Sequence, residues 1–432
     1  MILPIVCVPS GRAREIFQLR RFFVRPGSNM PGILRLAAGF VAGLALFALA
    51  ACNSSFGGGG FGSSTAGGVP TRGSEPVSGD TLGTGTIRVG LLLPLSATGN
   101  AGQIAQDFRN AADLALHDFK NANLQILVKD DKGTTDGAAA AASEAIAQGA
   151  ELILGPLFAR SVMGAAPITR QAGVPMIAFS NDTTTSGQGI YLLSFLPQSD
   201  IDRIISFAAS KGKRSFAALL PDNAYGTLVD AALQRAVANN GGRVMASPHY
   251  ALDKTAMQQQ ATALASIAKD GSVDAILLPD AGDATPFLAQ LLAANGLTPD
   301  KMQYLGSGQW DNDARITGES NLGGAYYPAP ESSGFASFAK RYQAAYGTAP
   351  ARTASLAYDA TSLAAGLAAR YGDQRFAAET LTNPNGFIGI DGAFRFLPNG
   401  LSQRGLAVYQ IVKGQAQIVD PAPRTFANTG GT

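Results

Sequence analysis

Ile87-Arg88-Val89-Gly90-Leu91-Leu92-Leu93 is an apolar run with one charge in it, closed by Pro94 and a polar loop, and it reads as a buried strand. Downstream, Phe108, Ala111, Ala112, Ala115 and Phe119 recur at helical spacing. Leu124 to Val128 reads as a second strand, followed by an Ala-rich helix around Ala138 to Ala147 and a third strand at Glu151 to Leu154. A helix near Ser161 to Ala172 leads to the strand Val174 to Phe179. The same rhythm restarts after Pro197. Strands at Phe216–Leu220, Gly242–Met245 and Asp274–Leu278 alternate with helices carrying Val229, Leu233, Ala236 and Val237, then Met257, Ala261, Leu264, Ala265 and Ala268. Two tandem copies of one pattern predict an α/β fold of two Rossmann-like lobes with parallel sheets and right-handed crossovers. The chain closes with a helix around Thr353 to Ala369 and a strand pair, Leu406–Val412 and Ala416–Val419, turning at Lys413-Gly414.

Upstream of Ile87 nothing is built to fold. From Asn53 to Thr86 the chain is Gly, Ser, Thr and Pro, including Gly57-Gly58-Gly59-Gly60, with too little to bury to offset its ordering entropy. Residues 52–86 are therefore expected to be a flexible tether. Before it, the apolar run from Gly39 to Ala51 ends in Leu49-Ala50-Ala51-Cys52. That run is short for about 30 Å of hydrocarbon, and small residues before a lone cysteine make a processing site. Residues 1–51 read as a signal peptide, with translation expected to start at Met30 because Arg12 to Arg25 are out of place in a leader. Leu-Ala-Ala-Cys resembles a bacterial lipobox, which implies lipid attachment at Cys52.

The 432 residues hold 33 Lys plus Arg against 31 Asp plus Glu, a balance that gives no electrostatic case for a nucleic-acid partner. Cys7 and Cys52 are the only cysteines, and the two histidines, His117 and His249, are far apart in sequence. There is no strand-associated Gly-x-Ser-x-Gly, no Gly-Lys-Ser/Thr phosphate loop and no His-Glu-x-x-His, so no catalytic residue, metal or cofactor is expected. Asp130-Asp131 as a carboxylate pair is weak, because adjacent residues at a strand end point apart.

Ligands of open α/β sheets bind beyond the carboxyl ends of the strands. The loops there supply Ser96 and Thr98, Phe158 and Arg160, Ser180 and Asp182, Tyr225, Asp280, and Trp310. Tyr225 is the first candidate for an aromatic wall and Trp310 the second; Ser96, Thr98, Ser180 and Asp182 are candidate hydrogen-bonding groups. Asp222 or Ser180 more often serves as a helix cap, and Arg160 reads as an anion-binding group, the partner of Asp182 or a plain surface residue.

From Ile87 to about Asp420 the chain resembles the type I periplasmic binding proteins of the leucine-binding kind. The resemblance is carried by Val89 to Ser96, Lys129-Asp130-Asp131, Gly155-Pro156-Leu157, Ala166-Pro167-Ile168, Gly173-Val174-Pro175, Asp222 to Gly226 and Ala357-Tyr358-Asp359-Ala360. It implies two lobes that close on a small-molecule ligand, joined by crossovers near Leu196–Ser199, Tyr327–Glu331 and Gly389–Phe394. Lobe 1 is then 87–197 and 331–393, lobe 2 is 198–330 and 394–420, and 421–432 form a disordered tail. Amino-acid binders of this family hold the ligand carboxylate with small hydroxyl residues where this chain has Phe158, Ala159 and Arg160. The acid that pairs the ligand ammonium falls at Gly308, and an unpaired buried ammonium is penalised, which argues against a free α-amino acid.

Phe179 to Asp182, Leu305 to Asp311 and Arg404 to Val408 also resemble the penicillin-binding protein activator lipoproteins of alphaproteobacteria. That resemblance implies a periplasmic, non-catalytic regulator of peptidoglycan synthesis with a synthase as partner. Its lipid anchors it in the outer membrane, for which Asn53 after the lipid cysteine is suited. The alternative is a receptor delivering amino acids, short peptides or related metabolites to an ABC importer.

Overall fold

The computed structural model describes residues 73, 75–119 and 122–426. The leader, the lipobox with Cys52, most of the tether and residues 427–432 lie outside them. β1 (Thr81–Leu82), β2 (Ile87–Leu93), α1 (Asn100–Asp118), β3 (Leu124–Asp130), α2 (Thr135–Ala147), β4 (Leu152–Leu154), α3 (Ala159–Gln171), β5 (Met176–Ala178) and β6 (Ile190–Leu192) open the first lobe. Its sheet runs β1-β3-β2-β4-β5-β6, parallel apart from β1. The apolar run of β2 follows from burial on both faces. Val89, Leu91 and Leu93 pack into one core with Phe108 and Ala112 of α1, while Leu92 packs into the other with Ala142 and Ile146 of α2. The alanines of α2 let α3 approach closely: a Cβ on Gly164 would collide with the backbone of Thr135.

The chain enters the second lobe at Pro197. There follow α4 (Pro197–Ser210), β7 (Ser215–Ala218), β8 (Leu220–Pro221), α5 (Ala224–Asn239), β9 (Arg243–Ala246), β10 (His249–Tyr250), α6 (Lys254–Ala268), β11 (Ala275–Leu277), α7 (Ala284–Ala294), β12 (Gln303–Leu305), α8 (Ala314–Thr317) and β13 (Tyr326–Ala329). After Pro330 it returns to the first lobe as α9 (Ser332–Tyr346), α10 (Ser355–Arg370), α11 (Ala378–Leu381) and the small sheet of β14 (Phe387–Gly389), β15 (Gly392–Phe396) and β16 (Ser402–Arg404). It ends in the second lobe as β17 (Ala407–Val412) and β18 (Gln415–Asp420), completing the sheet order β18-β17-β13-β12-β11-β7-β9.

This second sheet is mixed rather than all parallel. β13 ends at the second crossover and β17 begins at the third, with Ala329 opposite Ala407, so β17 can only run back antiparallel along β13. The β17–β18 hairpin turns at Lys413 and Gly414, with φ of 51° and 78°, the backbone a two-residue hairpin needs.

Three boundaries differ from the sequence expectation. The tether ends before residue 86, because β1 pairs with β3 and Leu82 is buried in the first core. The third crossover falls at Gly405-Leu406, not Gly389–Phe394, because Phe394 and Phe396 pack into that same core. Residues 421–426 are not loose: the Ala422 N–H donates to Glu331 Oε1 at 3.1 Å, and the buried ring of Phe426 lies under the Arg395 guanidinium.

Candidate functional site

A cavity of about 780 Å³ opens where the three crossovers meet, within the size range of small-molecule sites. Leu196 and Pro197 mark the first crossover, Pro330 the second, and Arg404 and Leu406 the third. Asn181, Phe195, Phe335 and Arg352 face it from the first lobe; Asp200, Tyr225, Gly308, Gln309 and Asp311 face it from the second.

Its first-lobe wall is a stack of cations and rings. The Arg352 guanidinium lies 4.4 Å from the Phe335 centroid and 4.8 Å from that of Phe195. Arg404 lies 4.8 Å from Phe195 and 5.7 Å from Phe394. Acids stand behind them. Arg352 Nη2 donates to Asp391 Oδ1 at 2.7 Å, and Ser355 Oγ donates to Asp391 Oδ2 at 2.6 Å. Arg404 Nε donates to the Ser194 carbonyl at 3.1 Å; burial lowers its pKa, against the opposing fields of Asp391 and Asp359. Asp359, beneath Gly389, accepts from the Ile390 N–H at 2.7 Å and is pushed up to about 7 by burial.

On the second-lobe side, Asp200 sits in the first turn of α4 and accepts the Gly308 N–H at 3.0 Å. Burial pushes its carboxyl up to about 7. Burial also raises Asp311, with Arg352 opposing. The Tyr225 hydroxyl donates to the Pro279 carbonyl at 3.0 Å, fixing the ring against the cavity.

These raised carboxyls predict a pH dependence. Unfolded, Asp131, Asp200 and Asp359 titrate near 4; folded, burial raises them to about 6, 7 and 7. Between about pH 4 and 7 the folded state holds protons that the unfolded chain has released, so stability falls as pH rises through that window. Each group contributes up to roughly 1.4 kcal/mol per pH unit inside it. Thermal melts are expected to sit higher at pH 5.5 than at pH 8. Asp359→Asn should reduce that difference by the share of one of the three groups while leaving the pH 5.5 value nearly unchanged, and an unaltered slope would remove Asp359 as a cause.

Of the nine residues the sequence proposed, Tyr225 lines the cavity and the other eight lie elsewhere. Trp310 is a core residue rather than a wall: it is 0% exposed, its Nε1 donates to the Leu278 carbonyl at 3.0 Å, and its ring packs on Tyr327. Phe158 and Arg160 brace a turn of their own lobe, the Arg160 guanidinium 5.6 Å from the Phe158 ring and its Nε bonded to the Gly133 carbonyl. Ser180 is buried and accepts the Asp182 N–H, and Asp182 caps the short turn Thr183–Thr185. Asp280 accepts the Tyr250 hydroxyl at 2.7 Å. Ser96 and Thr98 are exposed, the Ser96 N–H directed at Asp130. Asn181, Gln309 and Arg404, in segments that carry a family resemblance, and the two crossovers expected near 196–199 and 327–331 were legible pointers to the cavity; Phe335 and Arg352 carried no local signal.

Two α/β lobes joined by three crossovers over a lined cavity make the architecture of a periplasmic binding protein. The chain belongs to the periplasmic binding protein family, whose profile matches residues 86–416, and membership implies a periplasmic location for a protein class that binds rather than catalyses. Among solved structures, one from Rhodospirillum rubrum, described as a branched-chain amino acid ABC transporter, is 20% identical with a TM-score of 0.67, covering 77% of this chain and 99% of its own. A solute-binding protein of an ABC transporter from R. palustris, in complex with benzoate, is 17% identical with a TM-score of 0.53, covering 80% and 98%. An ABC transporter substrate-binding protein from Desulfitobacterium hafniense, in complex with Leu, is 17% identical with a TM-score of 0.55, covering 77% and 99%. No curated protein matches the chain.

Proposed function

We propose that this is a non-catalytic solute-binding protein that closes on a small molecule at the base of its cleft and presents it to an ABC importer. The cavity at the meeting of the three crossovers carries the reading, since that is where a change in lobe angle would open or seal a ligand site. The neighbours with benzoate and Leu support the same use of the fold. On this reading Cys52 carries the lipid that tethers the clamp to a membrane, the outer one if Asn53 sets the sorting. A second reading, regulation of a peptidoglycan synthase, has one observation in its favour. The three segments that resemble the penicillin-binding protein activators supply Asn181, Gly308, Gln309, Asp311, Arg404 and Leu406 to the cavity wall.

The test is a thermal-shift screen of the purified folded part against metabolites, alongside pull-down of synthases from a membrane extract. A ligand that binds only the folded state must raise the melting temperature. A saturable shift with no synthase captured supports the receptor. Capture of a synthase with no metabolite response supports the regulator and overturns the receptor.

A further inference from the structure

We infer that Arg404, at the third crossover, reads the cleft ligand by binding a carboxylate of the solute along the Nη1–Nη2 edge of its guanidinium. The inference deepens the receptor reading and rests on it.

Arg404 ends β16 and lines the cavity while only 5% exposed. Of its five N–H bonds, the one on Nε donates to the Ser194 carbonyl at 3.1 Å. Nη1 and Nη2 are buried and, among the described residues, meet no acceptor at hydrogen-bond distance. A buried cationic donor without an acceptor costs free energy in the empty protein. A carboxylate has the shape to remove that cost, since its two oxygens match the parallel donors of a guanidinium edge. The Nε bond and the rings of Phe195 and Phe394, at 4.8 and 5.7 Å, already hold the plane of the group, so binding has little left to order.

The acids nearby leave this edge open. Asp391 accepts from Arg352 at 2.7 Å and from Ser355 at 2.6 Å. Asp359 accepts the Ile390 N–H on Oδ1, and its Oδ2 has no partner, so it acts on Arg404 through its field alone. On the cavity wall, Asp200 accepts the Gly308 N–H and Asp311 accepts from Asn312 Nδ2 at 2.8 Å. Four acids around two guanidiniums favour a ligand with a single negative charge over a doubly charged phosphate. Phe195, Phe335 and Tyr225 offer ring surface for an apolar or aromatic body beside that charge.

The assignment departs from the family resemblance, in which small hydroxyl residues of the first lobe hold a ligand carboxylate. Phe158, Ala159 and Arg160 fill that stretch here, and Phe158 and Arg160 brace a turn of their own lobe. The donors left for an acid come from the hinge, not from the loop after the third parallel strand.

The charged groups facing Arg404 are Asp391, Asp359, Arg352 and Asp200, and Tyr225 faces Asp200 in turn. Burial pushes Asp200 and Asp359 up to about 7. Their protonation removes negative charge beside the site. Affinity for a carboxylate should therefore rise as pH falls from about 8 to about 6, by at most about tenfold per pH unit for each proton taken up.

The experiment compares three probes of one shape, phenylacetate, neutral phenylacetamide and phenethylamine, by calorimetry and thermal shift on wild type, Arg404→Lys and Arg404→Gln. Phenylacetate is expected to bind at least about tenfold tighter than the other two. Both variants should lose at least about tenfold for phenylacetate, Arg404→Lys because it keeps the charge without the fork. Should a variant fail to fold, the ranking of the probes and the pH slope on wild type decide. Phenylacetamide or phenethylamine binding as tightly as phenylacetate, an affinity that does not rise on acidification, or phenylacetate binding intact in a folded variant overturns the inference while the receptor reading stands. A guanidinium serving only as counter-charge to Asp359 would give the last of these results. If no probe binds, the inference falls, and the receptor reading falls with it only when no metabolite of the screen shifts the protein either.

Discussion

Trp310→Ala is expected to lower the free energy of unfolding by about 3–5 kcal/mol, the range for truncating a large buried aromatic. The indole is fully buried, its N–H is satisfied by the Leu278 carbonyl, and it packs on Tyr327, which stacks in turn on Tyr409 of β17. The main chain at Gly306 lies directly against the ring, leaving no room for a Cβ there. Rigid backbone on that side collapses poorly into a void, which places the cost toward the upper end of the range. Urea unfolding followed by circular dichroism measures it. Trp310 is the only tryptophan of the chain, so the wild-type protein should also emit at the short wavelengths of a dry indole. A variant with wild-type stability and weakened ligand binding would return Trp310 to the cleft wall.

Asp391→Ala should cost about 3 kcal/mol, because it strands a charge whose other hydrogen bond, from Arg352 Nη1 to Ser355 Oγ at 3.3 Å, is to a neutral group. Arg352 loses its 2.7 Å ion pair, Ser355 loses the nearer of two acceptors for its hydroxyl, the Arg352 carbonyl at 3.2 Å being the other, and Arg404 loses one of two carboxylates whose fields oppose the lowering of its pKa. The Arg352 side chain is 34% exposed and water can reach part of it, which keeps the estimate at the lower end for broken buried pairs. A double-mutant cycle with Arg352→Met isolates the pair: the second substitution should recover part of the loss, since the stranded cation goes with it. Strictly additive losses would mean that Asp391 acts by packing and not through Arg352. Because the stack of Phe335, Arg352, Phe195 and Arg404 draws on segments beside all three crossovers, the same variant should loosen the lobes, which small-angle scattering would register as a larger radius of gyration.

The long strands were legible because both their faces are covered, so Ile87–Leu93, with one charge, and Leu124–Val128, with one glutamine, read as nearly continuous apolar runs. β6, β12 and β13 left no such trace. They are three or four residues long, and β13 includes a proline, so nothing distinguishes them from loop until neighbouring strands pair with them. The ends of the folded part were misjudged for a related reason. Leu82 and Phe426 are single apolar anchors in polar or Pro-rich surroundings, and one residue has no periodicity.

The site divides the same way. Tyr225, Gln309 and Asn181 follow strands and could be guessed from the rule that ligands sit beyond carboxyl ends. Asp200 follows a crossover and Arg404 precedes one. Local patterning, a matter of neighbours along the chain, was enough to determine two α/β lobes; the first two crossovers followed from the family resemblance, while the third and the end of the tether were misplaced. Which charges meet across the cleft, and that Trp310 sits beneath its floor, are contacts between residues up to two hundred positions apart. Distances of that kind are set only when the sheets twist and the chain crosses between lobes for the third time.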